Sequence, residues 1–154
     1  MKIGTGSGSS VTLLVEDNED DADLTLMAFK EAHVTNPLVR VKDGQEALDY
    51  LFAKGTYSDR NPAELPMVVL LDLKLPKLSG IEVLKEIRSG DRTRRLPVVI
   101  LTSSIEDRDR VGAYDLHCNS YVRKPVDYDK FVNACRELGV YWTMINTPPP
   151  EPPR

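Results

Sequence analysis

The stretch Met67-Val-Val-Leu-Leu-Asp72-Leu-Lys-Leu-Pro76-Lys-Leu-Ser-Gly80 decides the fold. Five apolar residues run into a carboxylate, and the chain then breaks into a loop punctuated by Pro76 and Gly80. An apolar run this short, with Pro66 before it and Pro76 after it, predicts a strand buried on both faces. In a doubly wound sheet, ligands meet the chain at the carboxyl ends of such strands, and Asp72 stands at that end.

Upstream, residues 11–15 (Val-Thr-Leu-Leu-Val) form a second such strand, and it too stops at acids: Glu16-Asp17-Asn18-Glu19-Asp20-Asp21. An acidic first helical turn, favoured by the helix dipole, accounts for Glu19 to Asp21. It does not account for Glu16 and Asp17, which come before the helix begins. A first helix is predicted through about His33, with Leu24, Met27, Ala28 and Glu31 at helical spacing. Asn36-Pro37 turns into a strand at 38–41, Asp43-Gly44 ends it, and residues 45–53 form an amphipathic helix closed by Gly55. The connection 56–66 is longer than usual for this kind of link and reads equally as an insertion with a function or as a solvated loop.

Downstream, residues 80–88 predict a third helix, and 98–101 a fourth strand ending in Thr102-Ser103-Ser104. Ser104 with Asp107 has the spacing of a capping box for a fourth helix. Gly112 inside that helix costs about 1 kcal/mol relative to alanine, so it is expected to be the least rigid. A fifth strand, 120–122, leads into Arg123-Lys124-Pro125, and Asp127 caps a last helix carrying Phe131, Ala134, Cys135 and Leu138. Five strands alternating with five helices give an α/β doubly wound parallel sheet, flavodoxin-like, in strand order 2-1-3-4-5. That order brings Glu16, Asp17 and Asp72 together, with Thr102 and Lys124 at the same edge.

The bulk properties narrow the function. The chain has 154 residues, 41% apolar and 29% charged, with net charge −4. It carries no basic cluster that would mark a nucleic-acid or anionic-lipid surface. Arg92, Arg94 and Arg95 read as a solvated connection. Cys118 and Cys135 lack metal or redox spacing, which points to reduced thiols and a cytoplasmic location. No apolar run approaches the roughly 18 residues of a membrane span. Residues 1–10 read as a flexible Gly/Ser leader or cloning remnant, residues 11–139 as the domain, and 140–154 as an extension with a Pro-rich tail.

Three crowded carboxylates repel unless a cation neutralises them, and an all-oxygen donor set suits Mg²⁺. Lys124 offers a compact charge for a phosphate oxygen, and Thr102 a short hydroxyl. Such a pocket can take a phosphoryl group on Asp72 as nucleophile. Each residue alone has a structural reading: a loop-starting Asp, a Lys-Pro turn, a helix-capping Thr. Five of them at the ends of four strands do not.

With these residues the chain resembles the receiver domains of two-component response regulators. The likeness is carried by Glu16-Asp17, by Asp72 with Pro76 and Gly80, by Thr102-Ser103, and by Tyr121-Val-Arg-Lys124-Pro125. It spans residues 11–138 and implies that Asp72 is the phosphoacceptor, fed by a histidine kinase. Glu16, Asp17 and Asp72 would hold Mg²⁺ together with the backbone carbonyl of Lys74. The resemblance further implies that Thr102 binds the phosphoryl group, that Lys124 pairs with it, and that the Lys124–Pro125 peptide is cis. The ring of Tyr121 would turn inward and reshape the face of helix 4, strand 5 and helix 5; read alone, Tyr121 is a half-exposed strand aromatic.

The loop before strand 3, the segment 116–121 and the Trp142-containing extension resemble the small regulators that partner bacterial phytochrome kinases. Only 16 residues follow Leu138, so a stand-alone receiver is expected. Glu16 replaces the more frequent Asp, His117-Cys118 stand where small residues are usual, and Lys74 lies two residues past the acceptor, where its ammonium could influence attack by water. Val140, Tyr141, Trp142, Met144 and Ile145 are apolar enough to pack on the domain or to form an isologous homodimer with helix 5, the latter being the subfamily's habit.

Three rival readings arise. A haloacid-dehalogenase-like phosphatase needs a second Asp where Lys74 stands. A dinucleotide site is excluded because Gly4, Gly6 and Gly8 precede the first strand. A binding-only receiver would lack the intact five-residue set.

Overall fold

The computed structural model describes residues 10–150. The elements run β1 (Thr12–Val15), α1 (Glu19–Glu31), β2 (Leu38–Val41), α2 (Gly44–Phe52), β3 (Val68–Leu71), α3 (Gly80–Ser89), β4 (Val98–Thr102), α4 (Asp107–Asp115), β5 (Ser120–Arg123) and α5 (Tyr128–Val140). The five strands are parallel in the order β2-β1-β3-β4-β5.

Alternation along each central strand sends side chains to opposite faces. Leu13, Val15, Val69, Leu71, Val98 and Ile100 pack under α2, α3 and the single buried residue of α4, Ala113. Leu14, Val68, Leu70, Val99 and Leu101 meet α1 and α5 on the other face. This is why the sequence shows continuous apolar runs there instead of alternation.

Register sets the height of the strand ends. Val15 pairs with both Val41 and Leu71, and Leu71 pairs with Ile100. The Asp72 amide donates to the Val15 carbonyl at 3.1 Å, so Glu16 and Asp72 leave neighbouring strands at one level. On the other side the Lys124 amide donates to the Thr102 carbonyl at 2.7 Å.

Local details depart from the sequence expectations. α1 stops at Glu31, because His33 takes a left-handed φ of 60° that a helix cannot continue through. Ala53, with φ 55°, ends α2, while Gly55 opens a short 3₁₀ turn (Gly55–Tyr57). The Ser104–Asp107 capping box does not form. Glu106 is the cap residue and makes no side-chain cap bond, while Ser104 Oγ donates to Asp109 Oδ2 at 2.6 Å and accepts from the Glu106 amide. The connection 56–66 is packed: Tyr57 meets Tyr50 edge-on, Arg60 stacks over the Tyr50 ring, and Ala63 is buried. Asp127 caps α5 as expected, accepting from the Lys130 amide at 3.1 Å.

The C-terminal extension continues α5 as a π-turn (Tyr141–Ile145). Trp142 packs into the core with Leu14, Phe29, Val34 and Val99, whereas Tyr141, Met144 and Ile145 are exposed. Leader residues 1–9 and tail residues 151–154 lie outside the described residues.

Candidate phosphoacceptor site

Asp72 is buried, and each of its carboxylate oxygens has donors. Oδ1 accepts from Thr102 Oγ1 at 2.9 Å and from the Lys74 amide at 3.2 Å. Oδ2 accepts from Lys124 Nζ at 3.0 Å. Gly80 allows this loop to close. A Cβ there would lie 2.3 Å from the Asp72 carbonyl oxygen and 2.6 Å from Leu73 Cα, closer than any side chain can approach.

Glu16 is also buried. Its carboxylate accepts from the Asn18 amide at 3.2 Å and meets Lys124 Nζ at 2.7 Å, and its carbonyl accepts from Arg40 Nε at 2.9 Å. One ligand oxygen each from Glu16, Asp17 and Asp72 lie within 4.8 Å of one another, with Asp17 exposed to solvent. Such an all-oxygen cluster with an open side fits a hard divalent cation that keeps some of its waters.

Burial pushes the Glu16 carboxyl up to about 7, and nearby Asp72 adds to this; the Lys124 ammonium pulls the other way without prevailing. For Lys124 burial works against the charge, but its contacts with Glu16, Asp72 and Asp21 outweigh it and hold the ammonium protonated.

The structure brings together Glu16, Asp17, Asp72, Thr102 and Lys124, the five residues singled out from the sequence. It adds Asp21, whose Oδ2 lies 2.9 Å from Lys124 Nζ. Its place in an acidic first helical turn hid this role; the only signal was that this turn directly follows the strand end carrying Glu16 and Asp17. Lys74 contributes its amide to Asp72, and its side chain is exposed.

Tyr121 is not part of the carboxylate cluster. Its ring stacks on Tyr114 at 6.2 Å, and its hydroxyl is buried near Ser104 without a hydrogen bond of normal geometry. The expected cis bond before Pro125 is corrected: among the described residues every peptide is trans. Trans is the lower-energy isomer even before proline, and with it Lys124 already reaches its three carboxylate partners. Tyr141, Trp142 and Ile145 belong to the far end of α5, away from this cluster.

The family model for the response regulator receiver domain matches residues 12–136. The chain is 40% identical over 139 residues to the probable methanogenesis regulatory protein FilR2 of Methanothrix harundinacea, covering 90% of this chain and 87% of that protein. Response regulator Rcp1 of Synechocystis sp. is 34% identical, with 90% of this chain and 92% of Rcp1 covered. The crystal structure of the Mn(2+)-bound form of Rcp1 matches with a TM-score of 0.84 over 90% of this chain and 98% of that one. That of the phosphorylated cyanobacterial phytochrome response regulator RcpA is 37% identical, with a TM-score of 0.85 over 92% and 99%. With its strand order, its strand-end acids and its Thr and Lys in place, the chain belongs to the response regulator receiver domain family.

Proposed function

We propose that Asp72 accepts a phosphoryl group from a histidine kinase of the phytochrome type, in a Mg²⁺-dependent reaction, and that the face of α4, β5 and α5 carries the signal onward. The observation that carries this reading is the setting of Asp72: a hydroxyl on one oxygen, an ammonium on the other, and two further acids alongside. Glu16, Asp17 and Asp72 would hold the cation, with the Lys74 carbonyl as a further ligand; the Mn(2+)-bound Rcp1 supports that choice. When bound, the ion supplies positive charge against the repulsion between an anionic nucleophile and an anionic donor.

The protein's own residues do the rest. An Asp72 carboxylate oxygen forms the new O–P bond as the P–N bond to the donor histidine breaks. The ring nitrogen keeps the electron pair and takes up a proton. Thr102 Oγ1, freed from Oδ1, donates to a phosphoryl oxygen, and Lys124 offsets its charge. Tyr121, next to Ser104 and α4, links that movement of Thr102 to the outer face; the Ser104 amide already donates to Thr102 Oγ1 at 3.2 Å.

The protein acts as a phosphoacceptor that assists its own phosphorylation, not as a phosphatase with turnover. Exposed Lys74 stands where a dehalogenase-like enzyme needs its general acid. We place the chain in the cytoplasm, in keeping with two free, buried cysteines. Among the described residues no helix is long and apolar enough to cross a membrane. We also assign the exposed Tyr141, Met144 and Ile145 to an isologous homodimer contact beside Trp142.

The test is intact mass after incubation with acetyl phosphate and Mg²⁺. Wild type should gain one phosphoryl group and Asp72→Asn none. Gain by both proteins, or by neither, overturns the assignment, and turnover of phosphate esters would restore the phosphatase. Transfer from a phosphorylated phytochrome kinase tests the partner separately, since FilR2 is named for a different process.

A further inference from the structure

An ammonium has three N–H donors, and Lys124 has three carboxylate neighbours to receive them. They are Glu16 at 2.7 Å, Asp21 at 2.9 Å and Asp72 at 3.0 Å. Under the proposed function, on which this inference rests, two of the three have other duties. Glu16 is shared with a cation, and Asp72 loses its carboxylate charge when it becomes an acyl phosphate. Asp21 has neither duty, because it lies outside the group of mutually close ligand oxygens.

Asp21 is also well anchored. Its amide donates to the Asn18 side chain at 2.9 Å, and its carbonyl accepts from Thr25 Oγ1 at 2.8 Å. Thr25 Oγ1 lies in turn 3.6 Å from Cys135 Sγ on α5. Lysine, by contrast, is a point charge on a flexible four-carbon stem, and left to itself it samples many rotamers.

We infer that Asp21 is a positioning residue: it keeps the Lys124 ammonium against the acceptor after Glu16 and Asp72 have been drawn to other partners. A purely structural acid in the first turn of α1 would act on helix stability alone. Asp20, exposed in the same turn, provides that control.

Two measurements on the full chain decide it. The first is the side-chain ¹H–¹⁵N signal of the Lys124 ammonium at neutral pH and saturating Mg²⁺, where Glu16 and Asp72 are drawn to the cation, identified by its loss in Lys124→Arg. The signal should be visible in wild type, in Asp20→Ala and in Asp21→Asn, whose amide oxygen still accepts, and absent in Asp21→Ala. The second is the rate of phosphorylation by acetyl phosphate at saturating Mg²⁺. Asp21→Ala should be about tenfold slower, as for loss of one charge-assisted hydrogen bond, and Asp21→Asn within about threefold of wild type. In a Lys124→Met background Asp21→Ala should add no further loss.

An unchanged ammonium signal in Asp21→Ala overturns the inference, and so does equal slowing by Asp20→Ala and Asp21→Ala. A phosphorylated wild type with an Asp21→Ala of normal rate overturns this inference alone. A wild type that takes no phosphoryl group overturns the proposed function and this inference with it.

Discussion

Lys124 Nζ sits 3.0 Å from Oδ2 of Asp72, across 52 positions of sequence and the full width of β4. Among the described residues it is the one cation paired with the carboxylates of a cluster that also holds Glu16, Asp17 and Asp21, so negative charge is in excess at these strand ends. That imbalance underlies the first two predictions.

Mg²⁺ should stabilise the folded protein. At a free concentration a hundred times the dissociation constant, linkage contributes about 2.7 kcal/mol, equivalent to about 5–10 °C in Tm for a chain of this size. Thermal unfolding with and without the ion checks this. Asp17→Asn should abolish the shift, since Asp17 is exposed and has no packing role to confuse the result.

The binding should also depend on pH. Folded Glu16 titrates near 7, above its ordinary value of 4.5, chiefly because it is buried. Between those values the native state binds more protons than the unfolded chain. The contribution of Glu16 to stability is therefore full below about 4.5 and fades as pH rises through about 7. A cation competes with that proton, so Mg²⁺ affinity should weaken below about pH 7, approaching tenfold per pH unit. Mg²⁺ titrations at pH 8, 7 and 6 test it, and Glu16→Gln should flatten the dependence.

Two glycine substitutions should act in opposite directions. Gly80→Ala forces a methyl group onto the Asp72 carbonyl and should cost about 3 kcal/mol in denaturant unfolding, with slower phosphorylation. At Gly112 the nearest atom to a new Cβ is Ile81 Cδ1 at 3.6 Å, an ordinary contact. Gly112→Ala should therefore stabilise α4 by about 1 kcal/mol.

The extension divides residue by residue. Trp142→Ala should cost about 4 kcal/mol, because the indole fills the core between β1, β4 and α1. Ile145→Glu, at an exposed position, should leave stability within about 0.5 kcal/mol. Its mass in solution is the decisive reading: a monomer, where wild type is a dimer, supports the proposed contact. Two dimers, or two monomers, would count against it.

The sheet and its order were legible because a strand buried on both faces leaves a continuous apolar run, and each of the three central strands has one. The five site residues were legible because acids, Thr and Lys all fall where such runs stop. Asp21 was not, since its local setting already had a sufficient explanation in the helix dipole. Nor could spacing separate Trp142 from Tyr141 and Ile145, because a π-turn rotates neighbours differently from the α-helix it continues. The Ser104 cap failed for a similar reason: its hydroxyl donates to the more distant Asp109 instead.

The amino-acid order by itself determined the alternation of strands and helices, and with it the edge at which chemistry would gather. Only the folded chain decided that Asp21 joins the five site residues, because Asp21 and Lys124 are 103 positions apart and come together through strand order and register. Local propensity acts over a few residues. Contact between remote side chains depends on how whole elements pack, and no short window of sequence contains that information.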